Sequence, residues 1–235
     1  MFFAILQYST GFTDAAGLEM TKDDIKRRIS VFILGLGLSG FGVAMTTQAG
    51  LGTTPISSLP YVLTFLMPLS LGMLTLLLNV FLVFGQVLLL GRDFRKIQYL
   101  QIAATGVFGF FIDLGMFVLE PFRTGNYLLQ LIMLFCGCAI LGLGISCQLT
   151  ADVMFIPGEG FVKALSARLK KEFGLIKISF DFSLVACAAL ASWVFISHLT
   201  GIREGTAIAA FAVGLFVKFF LPRLRFLRMW FYVRN

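Results

Sequence analysis

Sliding this sequence along itself by 102 residues places Gly35 on Gly137, Gly40 on Gly142, Gly42 on Gly144, Ala49 on Ala151, Pro55 on Pro157 and Gly72 on Gly174, without a gap. Glycine and proline mark positions where the backbone itself is constrained. A matched set of them therefore predicts that one backbone unit occurs twice. A second register, 105 residues, places Gly109 on Gly214 and Asp113 on Lys218, a difference absorbed by three residues of loop. A fold built from this chain has to accommodate two related halves.

The medium is set by composition. Hydrophobic residues make up 58% of the 235 positions, 27 of them Phe, only 13% are charged, and mean hydropathy is +0.92. No Asp, Glu, Lys or Arg occurs from Ile29 to Gly91, nor from Thr124 to Ala151. Water cannot cover such stretches, so the fold class expected is an all-α polytopic membrane protein. Spans are predicted at about 29–47, 71–91, 97–118, 126–148, 175–196 and 204–221. The 71–91 segment would be about 31 Å long, against a hydrocarbon thickness of about 30 Å. Two further segments, Thr54–Pro68 and Ile156–Lys171, each open near a proline and are marginal as full crossings.

The predicted organisation is a cytoplasmic tail or amphipathic segment over 1–28, a first membrane repeat over 29–118, a second over 126–221, and a basic aromatic tail over 222–235. Residues 1–8 lack the basic start and cleavage pattern of a secretory leader. Cys136, Cys138, Cys147 and Cys187 sit in apolar runs at spacings that do not suit zinc, and read as small packing residues. The formal charge of +7 belongs to the membrane face and does not indicate nucleic-acid binding.

Basic residues set the orientation. With six crossings and two short segments that enter and leave on one side, every Lys and Arg except Arg123, Arg203 and Lys177 falls on the cytoplasmic side, as do both termini. Each half then reads as three transmembrane helices plus one short broken or re-entrant helix, and the two halves are inverted-topology repeats. Eight full crossings would move the Arg92–Lys96 cluster outside.

Irregular backbone at membrane depth survives only against protein or a wet cavity. The candidate site is therefore at the two breaks, whose predicted hinge residues are Gly50, Gly52 and Pro55 in the first half and Pro157, Gly158 and Gly160 in the second. Thr53 and Thr54 offer caps or hydroxyls to a solute, and Ser57 is matched in the second half by Glu159. The N-termini of two short helices create a local positive field that would favour an anion or a carboxylate, while Glu159 is either a structural cap or a coupling group for H⁺. Lys177 and Asp181 share a helix face and could complete a triad with Glu159; the alternative is a static latch. Asn79 is the counterpart of Asp181. Arg203 and Glu204 read equally as an entrance that attracts anions or as a local salt bridge, and Asp113 as either a buried partner or an interfacial residue. The glycines of the first and fourth spans are expected to let those helices approach closely. The lone His198 rules out a multi-histidine metal site, and no metal or cofactor motif is present.

Five segments carry a family resemblance: GLGTTP at Gly50–Pro55, GFFID at Gly109–Asp113, PGEG at Pro157–Gly160, KISFD at Lys177–Asp181 and REGT at Arg203–Thr206. Over residues 29–221 the chain resembles the YczE/YyaS/YitT-like family of bacterial integral membrane proteins, particularly its YczE-like branch. The resemblance implies a multi-pass protein of the bacterial inner membrane and supplies no substrate. The expected function is a small-solute secondary transporter, not an enzyme, with a site between the broken helices for an anionic or carboxylate-bearing metabolite and with proton coupling through Glu159. Alternatives are a solute-binding subunit of an ATP-driven uptake complex, or a sensor or assembly factor that moves nothing. The partners expected are membrane lipid, an unidentified small solute and, optionally, further copies of the chain.

Overall fold

The structure, a computed structural model, describes residues 22–91, 94, 96–224, 226 and 227. The predicted tails lie largely outside these residues. Proline, serine and asparagine open four of the helices. The first half runs α1 (Lys22–Gln48), α2 (Pro55–Leu63), α3 (Leu71–Leu90) and α4 (Leu100–Leu119). The second runs α5 (Tyr127–Ala151), α6 (Pro157–Leu169), α7 (Phe173–Ile196) and α8 (Glu204–Arg223). Long, short, long, long is thus spelled twice. Ser70 Oγ accepts from the Met73 amide at the start of α3, and Asn126 Oδ1 accepts from Leu128 and Leu129 at the start of α5. Pro55 and Pro157 open α2 and α6, where a missing N–H costs nothing.

Six of these helices, α1, α3, α4, α5, α7 and α8, are long and apolar enough to cross a membrane. The chain is an all-α, multi-pass membrane protein. Its outer surface carries Phe117 and Phe211, each 76% exposed, and Phe182 at 73%, an apolar face suited to lipid. Its interior is correspondingly rich in polar groups, with Thr46, Thr47, Gln86, Gln101 and Ser146 all buried. α1 begins about two turns before the predicted apolar start, because a helix can carry Asp23, Asp24 and Lys26 beyond the hydrocarbon boundary. The short helices, at nine and thirteen residues, are about 14 and 20 Å long, too short to cross alone.

Packing exchanges elements between the halves. α1 lies along α5 at the centre; α1 also packs on α4, and α5 on α8. The short helix of each half packs on the second long helix of the other, α2 on α7 and α6 on α3. Glycines make the central contact, as expected. Gly35 faces the Gly144 carbonyl and Gln148, Gly137 faces the Gly42 carbonyl and Thr46, and these two contacts are equivalent under the 102-residue shift. Gln148 fastens the pair by donating from Nε2 to the Gly35 carbonyl at 3.0 Å and to Ser39 Oγ at 2.7 Å. Gly40 likewise receives Phe111 of α4, and Gly142 receives the equivalent Phe216 of α8.

One seam breaks this correspondence. α3 packs along α4, with Gly72 and Gly109 in backbone contact, and Asp113 accepts from Ser70 Oγ at 2.6 Å and from the Gly72 amide at 2.8 Å. Asp113, half-buried, is thus a bonded partner of the α3 N-terminus. Their counterparts Gly174 and Gly214 both face open space, and α7 does not pack along α8.

A Cβ at Gly42 would come within 2.6 Å of the Leu141 backbone nitrogen. Gly42→Ala is expected to lower stability by about 1–3 kcal/mol through overpacking, whereas Gly106→Ala, with nothing nearby, costs nothing. Thermal unfolding of both variants in one detergent measures the contrast.

Candidate functional site

The break after α1 is a true backbone reversal, with Gly50 at φ +77° and Gly52 at φ +111°, a region that side chains disfavour. Its polar groups are met by the start of α8. The Gly205 amide donates to the Leu51 carbonyl at 2.8 Å, Arg203 Nη1 to the Gly50 carbonyl at 3.1 Å, and the Thr53 amide to Thr206 Oγ1 at 3.3 Å. Arg203 also pairs with Glu204 at 2.9 Å. Arg203 therefore clamps this break, and Glu204 forms with it the local salt bridge that was one of the two predicted readings. In the second half the reversal is made by Asp152 at φ 51°, while Gly158 and Gly160 lie inside α6. These two glycines serve close approach instead, Gly158 to Ile56 and Gly160 to Gln86.

A cavity of about 380 Å³ lies where the two halves meet, a size suited to a small ligand. Most of its polar lining comes from equivalent positions of the two halves. Ser57, Thr75 and Asn79 come from the first half and Glu159, Lys177 and Asp181 stand at the same places in the second, while Ser39 and Thr54 of the first half have apolar counterparts, Leu141 and Ile156. Apolar lining residues are paired the same way, Val43 with Ile145 and Phe108 with Val213. One half contributes neutral hydrogen-bonding groups and the other contributes charge.

Lys177 Nζ and Asp181 Oδ1 are 2.6 Å apart, both side chains about one-quarter exposed. Glu159 faces this pair across the cavity without a hydrogen bond or ion pair of its own among the described residues. Of the predicted triad, the structure thus bonds two members and leaves the third in electrostatic reach. Thr54 is the N-cap residue of α2, but its hydroxyl donates to Ser57 Oγ at 3.0 Å and caps no amide. Thr53 is turned away from the cavity, its hydroxyl 2.8 Å from that of Thr47. Asn79 Nδ2 donates to the Thr75 carbonyl at 2.9 Å, leaving Asn79 Oδ1 and Thr75 Oγ1 buried and unpartnered.

A second hollow of about 430 Å³ opens beside the first, lined by Gln98, Gln101, Gln148, Asp152 and Lys163. Ile145, Ile156 and Glu159 border both, so Glu159 stands in the partition between them. Gln86 holds the α6 end of this partition, donating from Nε2 to the Pro157 carbonyl at 3.1 Å and to Gln101 Oε1 at 3.2 Å. Thr75 and Gln86 were not among the predicted site residues. The shift that paired Asn79 with Asp181 also pairs Thr75 with Lys177, a signal present in the sequence. Gln86 has no such signal, because the shift pairs it with apolar Ala188 and its partners, Gln101 and Pro157, lie on other helices.

Removing one partner of a poorly solvated ion pair leaves the other charge exposed to the cavity alone. Lys177→Met is expected to cost about 2 kcal/mol, and the double variant Lys177→Met, Asp181→Leu less than that, as read from thermal unfolding of a double-mutant cycle. No curated protein and no solved structure matches the chain. A family model does, over residues 26–222. From that match the chain belongs to the family of unknown function DUF6198, the YczE-like group whose motifs it carries.

Proposed function

We propose that the chain is a small-solute secondary transporter, its two halves inverted in the membrane and its solute held in the central cavity. One observation carries the reading: a cavity lined by equivalent residues of both halves, beside two equivalent seams of which one is shut and the other open. Two inverted units in different conformations are what alternating access requires. The positive-inside distribution supports the inversion, with α2 and α6 dipping in from opposite faces. On that topology the shut seam, Gly72 against Gly109, lies in the outer half of the membrane, and the open seam, at Gly174 and Gly214, lies in the inner half. The state described is then inward-facing, and the second hollow is its cytoplasmic vestibule.

The outward-facing state follows by exchange. Gly174 closes on Gly214 while Gly72 parts from Gly109. The polar residues at the ends of the seams differ between halves, Ser70 and Asp113 in one and Glu172 and Lys218 in the other. Closure at the inner seam would therefore bring a carboxylate and an ammonium together in place of a capped helix. The anionic solute expected from the two helix N-termini meets a complication, since Glu159 already occupies the first turn of α6.

Alanine at either glycine biases the exchange. A Cβ at Gly72 collides with the Gly109 carbonyl and the Asp113 carboxylate, whereas one at Gly174 has open space now and obstructs only the closed inner seam. With Ser57→Cys as reporter and the four native cysteines replaced, Gly72→Ala is expected to speed labelling by an impermeant maleimide from outside, and Gly174→Ala to abolish it. Equal outside labelling of the two variants would sink the proposal.

A further inference from the structure

We infer that the central cavity takes a compact monovalent organic ammonium, and that Glu159 holds either that ammonium or a proton. This rests on reading the cavity as the transport site. The charged residues of the lining are Glu159, Lys177 and Asp181, two carboxylates against one ammonium. Lys177 is engaged by Asp181 at 2.6 Å, so the uncompensated charge is the carboxylate of Glu159. An isolated charge in a site with little water needs a counter-charge or a proton.

The groups around Glu159 leave that role open. From α7 it faces Lys177 and Asp181. On its own helix, Lys163 is one turn away, but its ammonium lies over the Phe155 ring at 4.1 Å. Asp152 is across the vestibule and adds negative charge. α3, which packs along α6, contributes no charged residue, and Asp113 of α4 is committed to the α3 N-terminus.

Hydrogen-bonding capacity points the same way. Asn79, 3% exposed, and Thr75, 5% exposed, are lining residues, and the Asn79 carbonyl oxygen and the Thr75 hydroxyl are buried without a partner. A primary ammonium presents three N–H donors, matching one carboxylate and these two acceptors. The remaining walls, Val43, Phe108, Leu141 and Ile145, suit a small apolar body. When the ammonium binds, a protonated Glu159 gives up its proton to solvent; when the ammonium leaves, the proton returns. The two cations exclude each other at a single carboxylate.

The test is equilibrium binding to the purified 235-residue chain in lipid nanodiscs by calorimetry, with three probes of nearly one shape: benzylammonium, benzyl alcohol and benzoate. At about pH 8, benzylammonium is expected to bind about tenfold or more tightly than the other two. As pH falls through the Glu159 titration its affinity drops, approaching about tenfold per unit, with a buffer-dependent heat that reports proton release. Glu159→Gln is expected to remove both the preference and the proton release. If that variant does not fold, Asn79→Leu should weaken benzylammonium about tenfold and leave benzyl alcohol unchanged. The inference is overturned if benzoate binds best, if the three probes do not differ or none binds, if Glu159→Gln keeps the preference, or if Asn79→Leu weakens both probes equally. Failure of the transporter reading looks different: benzylammonium binds as expected but is not moved across proteoliposomes. Movement of benzoate alone would instead retain transport and discard the ammonium.

Discussion

The approach of α1 to α5 is the contact on which the rest of this fold hangs. Inside a bilayer there is no hydrophobic gain when helices meet, so association depends on close packing and on hydrogen bonds. Both are concentrated here. Gly35, Gly42, Gly137 and Gly144 remove the side chains that would hold the helices apart, and Gln148 bonds across the gap to Gly35 and Ser39. From this central pair the remaining helices are hung in matched fashion, Phe111 of α4 against Gly40 and Phe216 of α8 against Gly142.

That arrangement explains why the short helices end up in each other's halves. α2 follows a sharp reversal at Gly50 and Gly52 and reaches α7, while α6 reaches α3. Backbone groups freed at the first reversal are answered by the start of α8, which belongs to the opposite half. Each half is incomplete without the other, and the polar tips of the short helices are brought to one shared cavity. The scaffold is duplicated, but the chemistry is not: neutral Ser57, Thr75 and Asn79 face charged Glu159, Lys177 and Asp181 at equivalent positions. Charge inside a membrane is costly, and its confinement to one half leaves the other free to supply acceptors.

The two seams give the fold its asymmetry. Gly72 and Gly109 are in contact and capped by Asp113, whereas Gly174 and Gly214 stand apart. The proposed exchange would swap the packing of these two seams, each half taking the arrangement the other now holds.

The number of spans, the duplication, the proline-opened short helices and the close approach at the glycines were all legible in the chain, because each depends on local composition or on spacing along it. Thr75 was legible too, through the same shift that exposed Asn79. The clamp of Arg203 on the first break, the capping of α3 by Asp113, the position of Gln86 against Pro157 and the separation of Glu159 from the Lys177–Asp181 pair were not. Each of these joins residues from different helices, and which helices meet is decided by packing around α1 and α5. By itself, the sequence determined that the chain must live in a membrane as two related units with polar residues at their breaks. Only the tertiary structure decided that those breaks share one cavity, which charge in it stays unpaired, and which of two equivalent seams is shut, since these depend on which side chains of different helices meet and spacing along one helix does not fix that.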